Sequence, residues 1–370
     1  MRSTSLRVLA ACAALALVAG LAVGSAGAAA SCTASIAAGT GAPGDLLLAT
    51  AGAPQHAFAA GIHYDGGDGH PLVQRFAGTS WGQFPIPTHA GAGTIQFQDA
   101  AVAGDRVWAV GALRNDKPMA GWLTGDVWHW SQAVDPGGVE DEFLGVTATP
   151  DGTLWAVGKH RTGADYQPLI ERFDGTRWAI VTSPQISGSA VLRDVAATPD
   201  GSVWAAGWTV DDGGVTRPLI ERWNGAAWTS VAAAGEGLLS GIAVLPGGNA
   251  MAVGWTPSPQ GDRILTMQLG HGSWKVSPGS ALLGRLTSVA AGEAVVAVGT
   301  MFDATGVPRA LLVRWDNGWT PVDIAGDPAP DPGGDQLLAI TGELGSFLAV
   351  GIRDTTEGFG SLVVTGTCRG

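Results

Sequence analysis

The chain is predicted to be all-β, a seven-bladed β-propeller of four-stranded antiparallel blades. Three observations carry that prediction. One block recurs: a short apolar strand ending in Val-Gly or Ala-Gly, a polar loop, a strand like PLIER, and a Trp some twenty residues past the glycine. Its anchor glycines are Gly61, Gly111, Gly158, Gly207, Gly254, Gly299 and Gly351, spaced at about 48 residues, a period that marks repeat architectures. The third is the register of the tryptophans: Trp81, Trp128, Trp178, Trp228, Trp274 and Trp319 each follow their anchor glycine by 17 to 21 residues. That order excludes the disorder that 57 glycines and 21 prolines would otherwise suggest, since disordered segments are poor in aromatics.

The elements follow in chain order. Arg2 and Arg7 precede an apolar run from about Val8 to Val23, and the small residues at Ala26, Ala28 and Ala30 offer cleavage sites, so residues 1–30 read as a secretory leader and the protein as extracellular. No later segment approaches 18 uninterrupted apolar residues, so no membrane span is expected. Residues 31–370 are expected to form one propeller, with blades at about 43–96, 97–142, 143–190, 191–236, 237–283, 284–335 and 336–370. In the 191–231 unit, VAAT is the first strand (A), the Pro-Asp-Gly turn closes a hairpin, VWAAG is strand B, PLIERW strand C, and strand D begins at Trp228. Strand B is apolar throughout because stacked sheets bury both faces.

The seventh unit ends after SLVVTGTC without a fourth strand. The segment 31–42 precedes the first blade and lacks a partner, so it is expected to supply the closing strand. Cys12 leaves with the leader, which places Cys32 and Cys368 at the two ends of the mature chain in an oxidising compartment, where they are expected to form a disulfide.

Without the leader the formal charge is 18 − 32 = −14. Such acidity argues against nucleic acid, whose binding is dominated by phosphate neutralisation, and against anionic membranes. Only three basic residues are lysines, and with the Ala and Gly excess this suggests a GC-rich bacterial genome.

The glycine after strand B, the variable loop, the strand ending ERW or ERF, and the Gly-containing turn before a Trp together resemble the kelch family of propellers, over residues 44–370. The kelch double glycine is here Val-Gly or Ala-Gly, and the matching aromatic is present as Trp108, Trp155 and Trp204. The resemblance implies the propeller fold and leaves the activity open. The copper-radical site of galactose oxidase, a kelch-like enzyme, needs a Tyr crosslinked to a Cys; Tyr64 and Tyr166 are the only tyrosines and the mature cysteines are terminal, so that chemistry is not expected. A sialidase-like Asp box separates Asp from Gly, whereas the turns at 149–155 and 198–204 have them adjacent and read as hairpins, with Asp151 and Asp200 accepting local backbone hydrogen bonds.

His63, Asp65, Asp68 and His70 form the densest polar constellation and are the only candidate metal ligands, beside the reading of a solvated loop; no cofactor is expected. No catalytic motif is present. Glu171-Arg172 and Glu221-Arg222 recur at one blade position and read as structural ion pairs. The loops joining strands B and C are longest and most varied and should share one face with the D–A connections, which gathers Tyr64, Tyr166, Trp208, Trp255, Phe302 and Phe359 as candidate binding residues. Trp208 and Trp255, directly after the strand B glycine, are favoured as contacts, with packing against the next blade as the alternative. The expected function is therefore a secreted, monomeric, non-catalytic binding propeller for extracellular glycan or protein. The alternative is an extracellular carbohydrate-active enzyme with its site at the channel mouth.

Overall fold

The computed structural model describes residues 31–37, 43–78, 80–89, 93–113, 117–270, 272–277, 282–326, 334–355 and 358–369. The leader expected over 1–30 lies outside them. Seven antiparallel sheets are each ordered A-B-C-D from the central axis outward. Blade 4, for instance, comprises Ala190–Ala197, Val203–Val210, Thr216–Trp223 and Trp228–Val231. Blade 7 takes three strands from the C-terminal end, Gly334–Glu343, Ser346–Thr355 and Gly358–Arg369, and its fourth from Ser31–Ile36. Cys32 pairs in register with Cys368 and the two are bonded, closing the ring across 336 residues. A two-residue strand, Ile324–Ala325, adds in parallel outside this closing strand, a fifth member that the sequence pattern did not announce.

The anchor glycines have a steric cause. Each strand A carries a one-residue bulge opposite its anchor, at Leu48, Gln98, Leu144, Arg193, Ser240, Thr287 and Leu338. A bulge sets two residues of one strand against one of its partner and bends the strand locally. It also presses strand A onto the glycine: a Cβ on Gly61 would stand 1.9 Å from the Leu46 carbonyl oxygen, on Gly207 2.0 Å from that of Val191, and on Gly351 1.9 Å from that of Gln336. The remaining four anchors meet the same obstacle at 1.9–2.0 Å. No side chain fits, so the glycine recurs with the bulge.

The tryptophans join blades. Trp108, Trp155 and Trp204 on strand B are buried and reach the strand D tryptophan of the next blade, with ring centroids 6.0 Å from Trp178, 5.4 Å from Trp228 and 5.6 Å from Trp274 respectively. Each blade interface forms its own apolar cluster around such contacts. At these three interfaces the buried rings add to the inter-blade attraction, at roughly 25 cal/mol per Å² of apolar surface.

On the face opposite the B–C loops the hairpin turns behave as expected. The Asp151 carboxylate accepts from the Thr149 hydroxyl at 2.6 Å and the Thr153 amide at 3.1 Å, and Asp200 accepts from Thr198 and the Ser202 amide. Gly152 and Gly201 follow at φ +84° and +82°, where a side chain would be strained.

The expected Glu-Arg ion pairs are not formed. Consecutive strand residues point to opposite faces, so Glu171 and Glu221 turn inward and are fully buried, while Arg172 and Arg222 lie over the rings of Trp155 and Trp204 at 5.8 and 5.0 Å. Glu171 accepts from the Val134 amide at 3.0 Å and Glu221 from the Ser183 hydroxyl at 2.9 Å, each tying strand C to the preceding D–A connection. With so few partners, burial pushes both carboxyls up to about 7.

Candidate functional site

The B–C hairpins and the D–A connections emerge together around one mouth of the central channel. The hairpins there are held by their own charges. Asp303 caps the amides of Thr305 and Val307 at 2.9 and 3.1 Å and pairs with Arg309 Nε at 3.0 Å; Asp211 does the same for Gly213, Val215 and Arg217 in blade 4, with Arg217 Nε at 2.8 Å. The Thr305 hydroxyl, which donates to Asp303 at 2.6 Å, then Arg309 and the two amides hold the Asp303 carboxyl well below the usual carboxylate range. A rigid rim results, which lowers the ordering cost of any ligand that binds it.

The six candidate aromatics separate into groups. Tyr64 in blade 1 and Phe359 in blade 7 come together across the closed ring, 41% and 56% exposed, at a cleft of ≈ 540 Å³ that Leu46, Gln336, Ile352 and Asp354 also line. Trp255 and Phe302 are brought together by Arg285, whose guanidinium lies 5.5 Å from one ring centroid and 5.2 Å from the other while pairing with Asp262. Tyr166 donates to Glu140, and Lys159 and Arg161 lie over its ring at 5.0 and 5.2 Å. Trp208 stands apart, half-buried in strand B of blade 4 opposite Val191 and Pro218.

His63 and His70 face each other across the first hairpin, as do Asp65 and Asp68. His63 is engaged elsewhere: its Nδ1 lies 2.7 Å from Asp45 Oδ1, and Gln74 donates to the other oxygen at 2.9 Å. Among the described residues no three His, Cys, Asp or Glu side chains gather to hold a metal ion. The Asp45 pair is one of a series that the sequence reading missed. An aspartate two residues before the anchor's partner on strand A meets a basic residue two after the anchor glycine, as in Asp335 with Arg353 at 2.6 Å and, more loosely, Asp141 with His160 at 4.0 Å.

The channel mouth was also missed as a set of residues. All seven bulge residues line a cavity of ≈ 160 Å³ there, together with Asp99, Asp194, Ser288, Ala339 and, at the rim, Trp255. Asp99 and Asp194 directly follow their bulges and reach into the next blade. Asp99 accepts from the Val146 amide at 2.7 Å; Asp194 accepts from the Ile242 amide at 2.8 Å and from its own neighbour Val195 at 2.7 Å. Burial, and for Asp99 the charge of Asp194, raises both carboxyls, Asp194 to about 6. Arg193 stands in the same cavity, its guanidinium pulled down by burial and held up by the charges of Glu142 and Asp194. Two carboxylates and a guanidinium in one polar recess, with an aromatic at its edge, can bind a polar ligand and exchange protons with it.

No protein-family model matches the chain, and no curated protein matches it. Among solved structures it is similar to a protein of unknown function from Dyadobacter fermentans (10% identity, TM-score 0.53, covering 91% of this chain and 98% of that one). It is also similar to a PL25 ulvan lyase (10% identity, TM-score 0.55, 90% and 96%) and to the polysaccharide lyase Uly1 (11% identity, TM-score 0.54, 87% and 90%). At such identities the likeness establishes the propeller fold alone.

Proposed function

We propose that the chain is an exported, kelch-like bacterial propeller, acting as a monomer, that binds extracellular glycan on its B–C face without cleaving it. One observation carries the reading: the exposed rings of Tyr64 and Phe359 flank a ≈ 540 Å³ cleft with polar groups at its edge. Sugar rings present apolar C–H faces that stack on aromatics and hydroxyls that need a few placed polar partners, and a cleft of this size suits a short saccharide. That two of the similar solved structures are polysaccharide lyases is in keeping with a glycan ligand. Export rests on the leader-like residues 1–30 and agrees with the terminal disulfide.

A glycan and protein array probed with the purified protein tests the reading. Tyr64→Ala and Phe359→Ala should each weaken binding to the hit by more than about 1 kcal/mol, the usual mark of an interface residue that matters. Unchanged binding in both, with loss on altering the turns around Asp151 and Asp200, would place the site on the other face; an array hit among proteins alone would replace glycan by protein.

The raised carboxyls of Asp99 and Asp194 favour the second reading, a carbohydrate-active enzyme at the channel mouth. Against it, Asp194 already takes two backbone amides and Asp99 ties blade 2 to blade 3, which are structural duties. Cleavage of a polysaccharide by the purified protein, lost in a folded Asp99→Asn variant, would establish the enzyme.

A further inference from the structure

Five arginines at the rim have carboxylate partners. Arg161 pairs with Glu140, Arg217 with Asp211, Arg285 with Asp262, Arg309 with Asp303 and Arg353 with Asp335. Arg193 differs from these five. It occupies the bulge position of blade 4, where the other blades place Leu48, Gln98, Leu144, Ser240, Thr287 and Leu338, so it is the one charge in the ring of bulge residues. Its guanidinium forms no hydrogen bond or ion pair among the described residues; Glu142 and Asp194 act on it only through space. Those two acids have donors of their own. Glu142 is engaged by Gln98 at 2.7 Å and Lys159 at 3.3 Å, and Asp194 by the amides of Ile242 and Val195.

We propose that Arg193 is the anchor of an anionic subsite in the channel mouth, where the carboxylate of an acidic sugar residue docks end-on while its ring lies towards Trp255. The planar guanidinium offers parallel donors that match a carboxylate, and although Arg193 is exposed to solvent it stands among the walls of the recess, where such a pair is stronger than on an open surface. The recess, ≈ 160 Å³, admits a carboxylate and part of a pyranose and not a whole chain. The remainder extends over the rim. Leu46 and Gln336 of the Tyr64–Phe359 cleft lie two residues from Leu48 and Leu338 of the channel on the same two strands, so one oligosaccharide can span both. This subsite rests on the glycan-binding reading and narrows it to acidic glycans.

The test measures affinities of the purified protein for oligogalacturonate, hyaluronan and alginate fragments and for the methyl ester of each, which differs only in the missing charge. At least one acid form should bind about tenfold or more tightly than its ester, a difference typical of a charge-assisted pair. Arg193→Gln should abolish that preference, weakening the acid far more than the ester, Arg193→Lys should restore part of it, and inorganic sulfate should compete only weakly. Equal binding of acid and ester by the parent, a preference that survives in Arg193→Gln, or sulfate competing as well as the oligosaccharide overturns the subsite. Ester binding that Tyr64→Ala removes, with no advantage for the acid, leaves the glycan reading standing and the subsite refuted; no binding of either form refutes both. Should the variants not fold, the salt dependence of the parent decides: affinity for the acid must fall with ionic strength more steeply than for the ester, and parallel behaviour overturns the proposal.

Discussion

Blades 3 and 4 differ from blades 5, 6 and 7 at one buried slot of strand C. The slot faces Ala156, Ala205, Ala252, Ala297 and Ala349 on strand B, and it holds Glu171 and Glu221 in the first pair but Met267, Val313 and Val364 in the rest. The ladders, bulges and anchor glycines around it are the same. The propeller therefore does not need an acid there, and where it has one it accepts the desolvation of a carboxyl in exchange for a hydrogen bond to the D–A connection. Apolar replacements of buried ionic groups are commonly neutral or stabilising. Blades 5 to 7 are such replacements made within one molecule.

The comparison holds only if the frame is common to both sets, and anchor substitutions test this with the largest effect. Gly158→Ala in blade 3 and Gly254→Ala in blade 5 should each cost about 4 kcal/mol or more, or abolish folding, because each Cβ would meet a main-chain oxygen at 1.9–2.0 Å that cannot step aside. Urea unfolding of the two variants should show losses alike; a tolerated alanine in one blade would break the comparison.

Moving the acid is the next test. Met267 lies in an apolar cluster with Trp204, Leu265 and Trp274, so Met267→Glu should cost about 3 kcal/mol at pH 8 and less at pH 5, where the carboxyl can keep its proton. A loss that does not depend on pH would mean that crowding and not charge is at work.

The acids already present set the pH dependence. Glu171 and Glu221 are raised from the ordinary 4.5 to about 7 in the folded state, so between those values the native protein binds more protons than the unfolded chain. Stability contributed by the neutral carboxyls is complete below about pH 4.5 and is lost as pH rises through 7, each group accounting for roughly 3 kcal/mol. Asp194, raised to about 6, acts in the same sense. The urea midpoint should thus fall between pH 5 and pH 8. Glu171→Met and Glu221→Met should each flatten that slope and raise stability at pH 8 by about 1–2 kcal/mol. A midpoint that rises with pH in the parent would show that these carboxyls are ionised when folded.

The smallest effect belongs to the rim. Asp303→Ala removes the cap of the blade 6 hairpin and the partner of Arg309, and because the group is solvent-exposed the unfolding midpoint should hardly move. Hydrogen exchange at Thr305 and Val307 should accelerate instead, since their amides lose their acceptor.

How far the sequence could be read follows from which interactions are periodic. The anchor glycines and the tryptophans repeat at fixed offsets, so the blade count, the closing strand and the pairing of Cys32 with Cys368 were visible in the chain alone. The reason for the glycine was not, because the obstructing carbonyl of Leu46 or Val191 lies on the neighbouring strand, 15 or 16 residues away. The Glu171-Arg172 reading failed on a rule that was available: neighbours on a strand cannot face one another. The link between Asp45 and His63 spans 18 positions across a hairpin, so in the sequence His63 was only one of four metal candidates beside the reading of a solvated loop. The meeting of Tyr64 with Phe359 was implicit in ring closure, since the first and last blades must touch. The channel residues were hidden because a bulge reverses the inward and outward alternation that sequence patterns rely on, so nothing in the sequence marks exposed Arg193 as a member of the ring at the channel mouth.

The bond between Cys32 and Cys368 also changes what a cut means. With its two ends fastened, the polypeptide from 32 to 368 is a covalent circle, and hydrolysis of one peptide bond in any hairpin opens the circle without releasing a fragment. A protease that nicks an exposed loop leaves one particle, heavier only by the water added at the cut, until the disulfide is reduced. Each such nick produces, in effect, a circular permutant whose new ends lie where the cut was made. Where proteases are abundant, endurance then depends less on escaping the first cleavage than on avoiding a second.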